Sequence, residues 1–72
     1  MDNLKNKVCT RIKELRNENR MTQQEVANYL HIDRSNYSKY ELGKLDLSIE
    51  IVVNLSKLYN VSSDYILNIK DY

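Results

Sequence analysis

The apolar residues of this chain recur at helical spacing in five short groups. Val8, Ile12 and Leu15 form one stripe and predict a first helix over roughly residues 3–19, with Leu4 extending the stripe back by a turn. Val26, Ala27 and Leu30 give a second helix its buried face. Tyr37 and Tyr40 do the same for a third. Ile49, Val52, Leu55 and Tyr59 line the core side of a fourth, and Tyr65, Ile66 and Leu67 sit on a short fifth.

Polar residues punctuate these groups. Thr22 followed by Glu25 is a capping box, in which each side chain accepts a hydrogen bond from the other residue's backbone N–H. Asp33 is the expected cap of the third helix, with Ile32 and Tyr37 forming a hydrophobic staple across it. Gly43 is placed to end that helix in a left-handed conformation. Ser48 and Ser62 cap the fourth and fifth helices, and Asn60 takes the left-handed stop between them. The tail from Asn68 to Tyr72 stays unassigned. With no Pro and a single Gly, nothing interrupts the backbone ladders. The expected fold is all-α: five short helices rich in local contacts.

Length narrows the organisation. Seventy-two residues allow one domain, spanning 1–72, with one modest core. Hydrophobic residues at 42% and charged residues at 29% suit a small globule rather than a disordered tail. No apolar run is long enough to span a membrane, and the N-terminus lacks the continuous apolar segment of a signal peptide. Cys9 stands alone, so no intrachain disulfide forms, and a disulfide-free small domain fits a reducing cytoplasm.

The net charge of +1 hides an uneven distribution. Residues 1–20 carry Lys5, Lys7, Arg11, Lys13, Arg16 and Arg20 against Asp2, Glu14 and Glu18. Arg34, Lys39 and Lys44 outweigh Glu41 in the next cluster, and residues 45–72 are net acidic. A chain can be near neutral and still offer one basic face. On the third helix, Arg34, Ser35, Ser38 and Lys39 fall on the side away from Tyr37 and Tyr40. Such a face pairs donors and acceptors with little apolar bulk, which is what base edges in a major groove require. A plain solvated face has the same composition, so the face alone does not decide.

The order of motifs adds to it. Met21-Thr22-Gln23-Gln24-Glu25-Val26-Ala27, then Ile32-Asp33-Arg34-Ser35 with Tyr40-Glu41 and Gly43, then Val61-Ser62-Ser63-Asp64-Tyr65-Ile66-Leu67-Asn68 follow one another in the chain. Together they resemble the phage-repressor-like family of bacterial regulators (lambda repressor, Cro, XRE-type) over about residues 8–68. The resemblance implies a five-helix lambda-repressor-like domain with a helix-turn-helix at about 22–43. It makes Arg34, Ser35, Ser38 and Lys39 the base-contacting set, on a reading helix at about 34–42. It places Gln23, Asn36 and Lys44 on DNA phosphates, with Gln23 at a helix start where backbone amides attract phosphate. It pairs Arg16 with Glu41 as an architectural bridge between the first and third helices. Three positions depart from the pattern: Arg20 stands where Gly or Asn is frequent, His31 takes a turn position that is usually Gly, and Leu47 replaces a frequent Pro. His31 is therefore expected at positive φ, as a strained turn residue rather than a ligand or catalyst.

The implied function is sequence-specific binding of double-stranded DNA by a transcriptional regulator, a repressor, with no effector domain in so short a chain. A module of this size reads few base pairs, so a homodimer on a palindromic operator is expected. Leu45, Leu47, Tyr65, Leu67, Ile69 and Tyr72 exceed what one small core covers, which puts the interface near 45–48 and 64–72. The alternative is a protein-interaction module, such as an antitoxin-like or anti-repressor subunit. An enzyme is disfavoured, since no nucleophile–base pair, phosphate-cradling Gly loop or metal cluster is evident. One His and one Cys do not complete a metal site, and no cofactor or small-molecule substrate is implied. Cys9 reads as a half-buried thiol, and the tyrosines as core and interface.

Overall fold

The computed structural model describes residues 4–69. They form α1 (Leu4–Glu18), α2 (Gln23–Leu30), α3 (Arg34–Glu41), α4 (Ile49–Tyr59) and α5 (Ser63–Ile66), with no strand among the described residues. The order and the approximate bounds follow the apolar stripes. Ile12 and Leu15, Val26, Ala27 and Leu30, Tyr37, Ile51, Val52, Leu55 and Tyr59, and Ile66 meet in one core. α2 and α3 pack chiefly on each other, while α1 braces α3 and α5, and α4 braces α2 and α5.

Two stripe positions differ from the sequence expectation. Ile49 is 85% exposed, and Ile51 takes its place in the core. At 3.6 residues per turn Ile49 lies roughly 100° from the centre of the face made by residues 51, 52, 55 and 59. Leu4 is on the correct face of α1 but is 60% exposed. Leu4 instead lines an open apolar groove with Val8, Leu45, Leu47 and Leu67.

The starts of the helices follow the capping residues. Thr22 and Glu25 form both bonds of the capping box, and Ser48 and Ser62 accept from Ile51 N–H and Tyr65 N–H. Asp33 is the exception. It has the extended backbone of an N-cap, but its side chain makes no cap hydrogen bond. Its carbonyl, not its carboxylate, starts the helix by accepting Tyr37 N–H at 3.0 Å. Ile32 packs on the core that Tyr37 enters, as a staple requires.

The helix ends share one device. Each helix is followed by a residue at positive φ: Arg20 (57°), His31 (59°), Gly43 (76°), Asn60 (54°) and Asn68 (65°). In each case the next residue's N–H reaches back five positions: Met21 to Arg16, Ile32 to Ala27, Lys44 to Lys39, Val61 to Ser56 and Ile69 to Asp64. This is the Schellman pattern, which satisfies the orphan carbonyls of the last turn. After α1, α2 and α4 the residue that reaches back is apolar, and Met21, Ile32 and Val61 pack on the core. The left-handed positions at Gly43, His31 and Asn60 match the sequence reading. Those at Arg20 and Asn68 were not foreseen, and the remaining tail, residues 70–72, lies outside the described residues.

A cation fixes the last helix. The Arg11 guanidinium donates to the Tyr65 carbonyl and to Asn68 Oδ1, both at 2.8 Å, and lies 3.9 Å from the Tyr65 ring centroid. Four residues of helix are far too few to persist alone, so α5 depends on this clamp and on the burial of Ile66.

Non-glycine residues pay strain in the left-handed region, of the order of 1 kcal/mol each. His31→Gly is expected to raise stability by about 0.5–1 kcal/mol, and His31→Val to lower it by more than that. Urea unfolding monitored by circular dichroism checks both. A destabilised glycine variant would show that the His31 side chain contributes more than its backbone costs.

Candidate nucleic-acid interface

The eight residues of α3 divide cleanly. Tyr37 is fully buried and Tyr40 half-buried on the inner side. Arg34, Ser35, Asn36 and Lys39 are exposed, and Ser38 is half-buried at the edge of the outer face. Tyr37 explains the orientation: burying one aromatic at the centre of a two-turn helix fixes which side faces out. Arg34 occupies the first helical position and Lys39 the last turn, so the two cations bracket the face. Lys44 is exposed just beyond Gly43, where the left-handed stop turns the chain, and its N–H donates to the Lys39 carbonyl at 2.8 Å. Gln23 is the first residue of α2 and is half-buried.

The polar residues behind this face form a chain of hydrogen bonds. Arg16 donates to the Glu41 carboxylate through Nε at 2.7 Å and Nη2 at 3.2 Å, and to the Met21 carbonyl through Nη1 at 2.9 Å. Gln23 Nε2 donates to Glu41 Oε1 at 3.1 Å. Arg34 Nη1 approaches Gln23 Oε1 at 3.5 Å, the long limit of a hydrogen bond. The Glu41 side chain is 4% exposed and that of Arg16 13%, so the ion pair is shielded from solvent. The Tyr37 and Tyr59 hydroxyls lie buried beside the carboxylate without full hydrogen-bond geometry.

Burial pushes the Glu41 carboxyl up, but the donors around it outweigh burial, Arg16 foremost and then Tyr37 and Gln23, so it sits below its ordinary 4.5. Arg16 is raised, chiefly by the bond to Glu41. Desolvation pushes the Tyr59 hydroxyl up to about 12 and Tyr37 further. Cys9 is half-buried, and burial raises its thiol above the ordinary value.

The sequence reading foresaw the Arg16–Glu41 bridge and the outward face. It missed that Gln23 is tied to Glu41. That contact needs the end of α1, the start of α2 and the end of α3 to converge, which no local pattern announces. Nor did it find the Arg11 clamp. Among the described residues no three His, Cys, Asp or Glu side chains gather as a metal site, and no helix is long and apolar enough to cross a membrane.

A family model described as helix-turn-helix matches residues 12–66. The chain belongs to the helix-turn-helix family. It is 44% identical over 57 residues to the HTH-type transcriptional regulator ImmR of Bacillus subtilis (strain 168), covering 79% of this chain and 45% of that protein. It is 35% identical over 63 residues to the uncharacterized HTH-type transcriptional regulator YobD of the same strain, covering 88% and 56%. It is 37% identical over 57 residues to the SPbeta prophage-derived uncharacterized HTH-type transcriptional regulator YonR, covering 79% and 53%. The chain thus spans about half the length of the curated relatives it matches. No solved structure matches it. The helix-turn-helix itself is α2 and α3 with the His31 turn between them, and the all-helical five-element fold is that of the lambda-repressor-like domains.

The depressed Glu41 acid gives a pH signature. Its folded value lies below its unfolded one, so the stability it confers is present above about pH 4.5 and is lost as pH falls through the folded value. Glu41→Gln should be less stable than wild type at pH 7, with the difference shrinking below pH 4.5. Urea unfolding across pH 7 to 3 tests this. A difference that stays constant over that range would mean the Glu41 charge confers nothing.

Proposed function

We propose that this helix-turn-helix chain forms a single domain that binds double-stranded DNA sequence-specifically and acts as a cytoplasmic transcriptional regulator, a repressor. The observation that carries the reading is the outer face of α3. It is polar and cationic, with Tyr37 buried directly behind it. In this reading α3 enters the major groove. Arg34 pairs bidentately with a guanine, Ser35 and Ser38 donate or accept at neighbouring bases, and Lys39 reaches guanine or phosphate. Gln23, Asn36 and Lys44 hold the phosphates and set register without reading sequence. Family membership and relatives named as transcriptional regulators support a regulator rather than an enzyme.

Geometry also favours a pair of copies. The described chain is 28 Å in its longest extent, shorter than the about 34 Å that separates successive major-groove faces. One copy therefore reads one half-site, and a palindromic operator takes a two-fold homodimer. Leu45 is 37% and Ile69 64% exposed on the proposed interface, while Leu47, Tyr65 and Leu67 are half-buried against the core. Tyr72 lies outside the described residues. A second reading, a module that docks a protein partner, draws on Ile49 and Leu42, which are 85% and 65% exposed. Salt separates the two readings, because phosphate contacts release counterions and weaken steeply as salt rises.

Selection of duplexes from a random pool supplies the site for the direct test. Arg34→Ala should then cost about 1–3 kcal/mol at that site and relax preference at one base position, with stability unchanged. Unchanged affinity and preference would remove α3 as the reading helix.

Sedimentation with and without the selected duplex addresses the assembly. Two copies should bind a site with two-fold symmetry. One copy per duplex at saturation on such a site would overturn the dimer.

A further inference from the structure

The Arg16–Glu41 pair reads at first as a strut between α1 and α3. The hydrogen bond from Gln23 Nε2 to Glu41 Oε1 gives it another consequence. We infer that Glu41 is a positioning residue for DNA contact: its carboxylate, held by Arg16, orients the Gln23 amide toward a phosphate and toward Arg34. The inference rests on the DNA-binding reading above and names how its outer contacts are held.

The chemistry runs as follows. A glutamine amide carries two N–H donors and a carbonyl acceptor. In Gln23 one donor is taken by Glu41 Oε1 at 3.1 Å, and the carbonyl oxygen faces Arg34 Nη1 at 3.5 Å. That fixes the amide plane and which end is which. The second N–H is left as the donor for an oxyanion at the start of α2. Unheld, the side chain would sample several rotamers and could turn its carbonyl toward the phosphate, where it would repel.

Glu41 suits this task because it is held at both oxygens. Arg16 donates to it twice, at 2.7 and 3.2 Å, and Arg16 is fastened in turn to the Met21 carbonyl at 2.9 Å. Met21 immediately follows the left-handed residue that ends α1. The order of support is therefore the end of α1, Arg16, Glu41, Gln23 and then Arg34. A buried carboxylate set so close to a DNA surface is otherwise counterproductive, since an unpaired one would repel phosphate. With Arg16 bonded to both of its oxygens, its charge is compensated and its lone pairs serve as fixed acceptors.

The test combines a mutant cycle with a resonance readout. Gln23 and Gln24 are the only glutamines in the chain, so their side-chain amide signals are readily assigned. In the free protein, Glu41→Ala should move the Gln23 signals toward exposed-glutamine positions and leave Gln24, which donates to Asn28 at 2.9 Å, unmoved. With the selected duplex, Gln23→Ala should weaken binding about tenfold, the scale of one hydrogen bond to a charged group. Glu41→Ala should weaken it several-fold, and the double variant should be no weaker than the worse single one within about twofold. Glu41→Gln, which keeps an acceptor oxygen, should recover most of the loss. Should Glu41→Ala not fold, the pair Arg16→Met with Glu41→Leu removes the acceptor and leaves no buried charge. It takes the same place in the cycle. Losses that multiply, or Gln23 signals that ignore Glu41, overturn the positioning role and leave the pair a strut. A wild type that binds no duplex overturns the DNA reading itself.

Discussion

The structure depends on one shielded carboxylate. Glu41 gathers Arg16 from α1 and Gln23 from α2 while belonging to α3, so it binds three helices at one point. Burying an ion pair is costly, and the attraction offsets desolvation only where the remaining lone pairs and protons are satisfied. Here they are: Arg16 uses Nε, Nη1 and Nη2, and Glu41 accepts from both Arg16 and Gln23. The consequence is directional. An apolar contact would let α3 rotate about Tyr37, whereas a bidentate fork fixes the angle at which the outer face is presented. Removing one partner of such a pair costs about 3–5 kcal/mol, a large share of the stability of so small a domain.

The second constraint is brevity. α2 and α3 have eight residues each, well under the about 12–15 at which an isolated helix becomes marginal in water. Neither persists without the other, which is why they pack mainly together. Short helices also need firm ends. Among the described residues five left-handed stops follow the five helices, and only one is glycine. At Arg20 and His31 the chain accepts strain to end a helix in two residues. What returns is a hydrogen-bonded reversal with Met21 or Ile32 pinned in the core. The turn between α2 and α3 is thus held by backbone bonds and a buried side chain, and the outward angle set at Glu41 is not lost at the other end of α3.

Local chemistry was legible in the sequence, and convergence was not. Thr22 with Glu25, Ser48, Ser62, Gly43 and Asn60 all act within a turn of their own position and were readable from residue type and neighbours, while the left-handed turn at His31 followed from the family resemblance. Asp33 shows the limit of that logic. The residue type and backbone suit a cap, yet the side chain turns elsewhere, because a cap needs a rotamer as well as a carboxylate. Ile49 shows another. Its i, i+3 spacing to Val52 hides that Ile51, Val52, Leu55 and Tyr59 share the tighter face, from which Ile49 is offset by roughly 100°. Arg11 on Tyr65 joins residues 54 apart and Gln23 on Glu41 residues 18 apart. Such contacts carry no periodic signature. For the candidate site, the outward residues were therefore visible, the Arg16–Glu41 bridge came only with the family resemblance, and the Gln23 tie behind them was not visible.

A net charge of +1 suggests a weak field, but the count weighs paired and unpaired carboxylates alike. Around the helix-turn-helix, Glu25 is held in the α2 capping box and Glu41 under Arg16. Asp46 pairs with Lys5 on the α1 side of the molecule. Arg34, Lys39 and Lys44 stay exposed, and the partner that Arg34 approaches is a neutral amide, not an acid. At about 10 Å of screening in 0.1 M salt, an approaching polyanion feels these near cations far more than the acidic residues of the C-terminal third. Asp33 is the dissenting charge, exposed beside Arg34 and bonded to nothing through its cap geometry. Set beside Arg34 at the start of α3, it offsets part of that cation's attraction for a polyanion, whereas Lys39 and Lys44 lie at the other end of the helix.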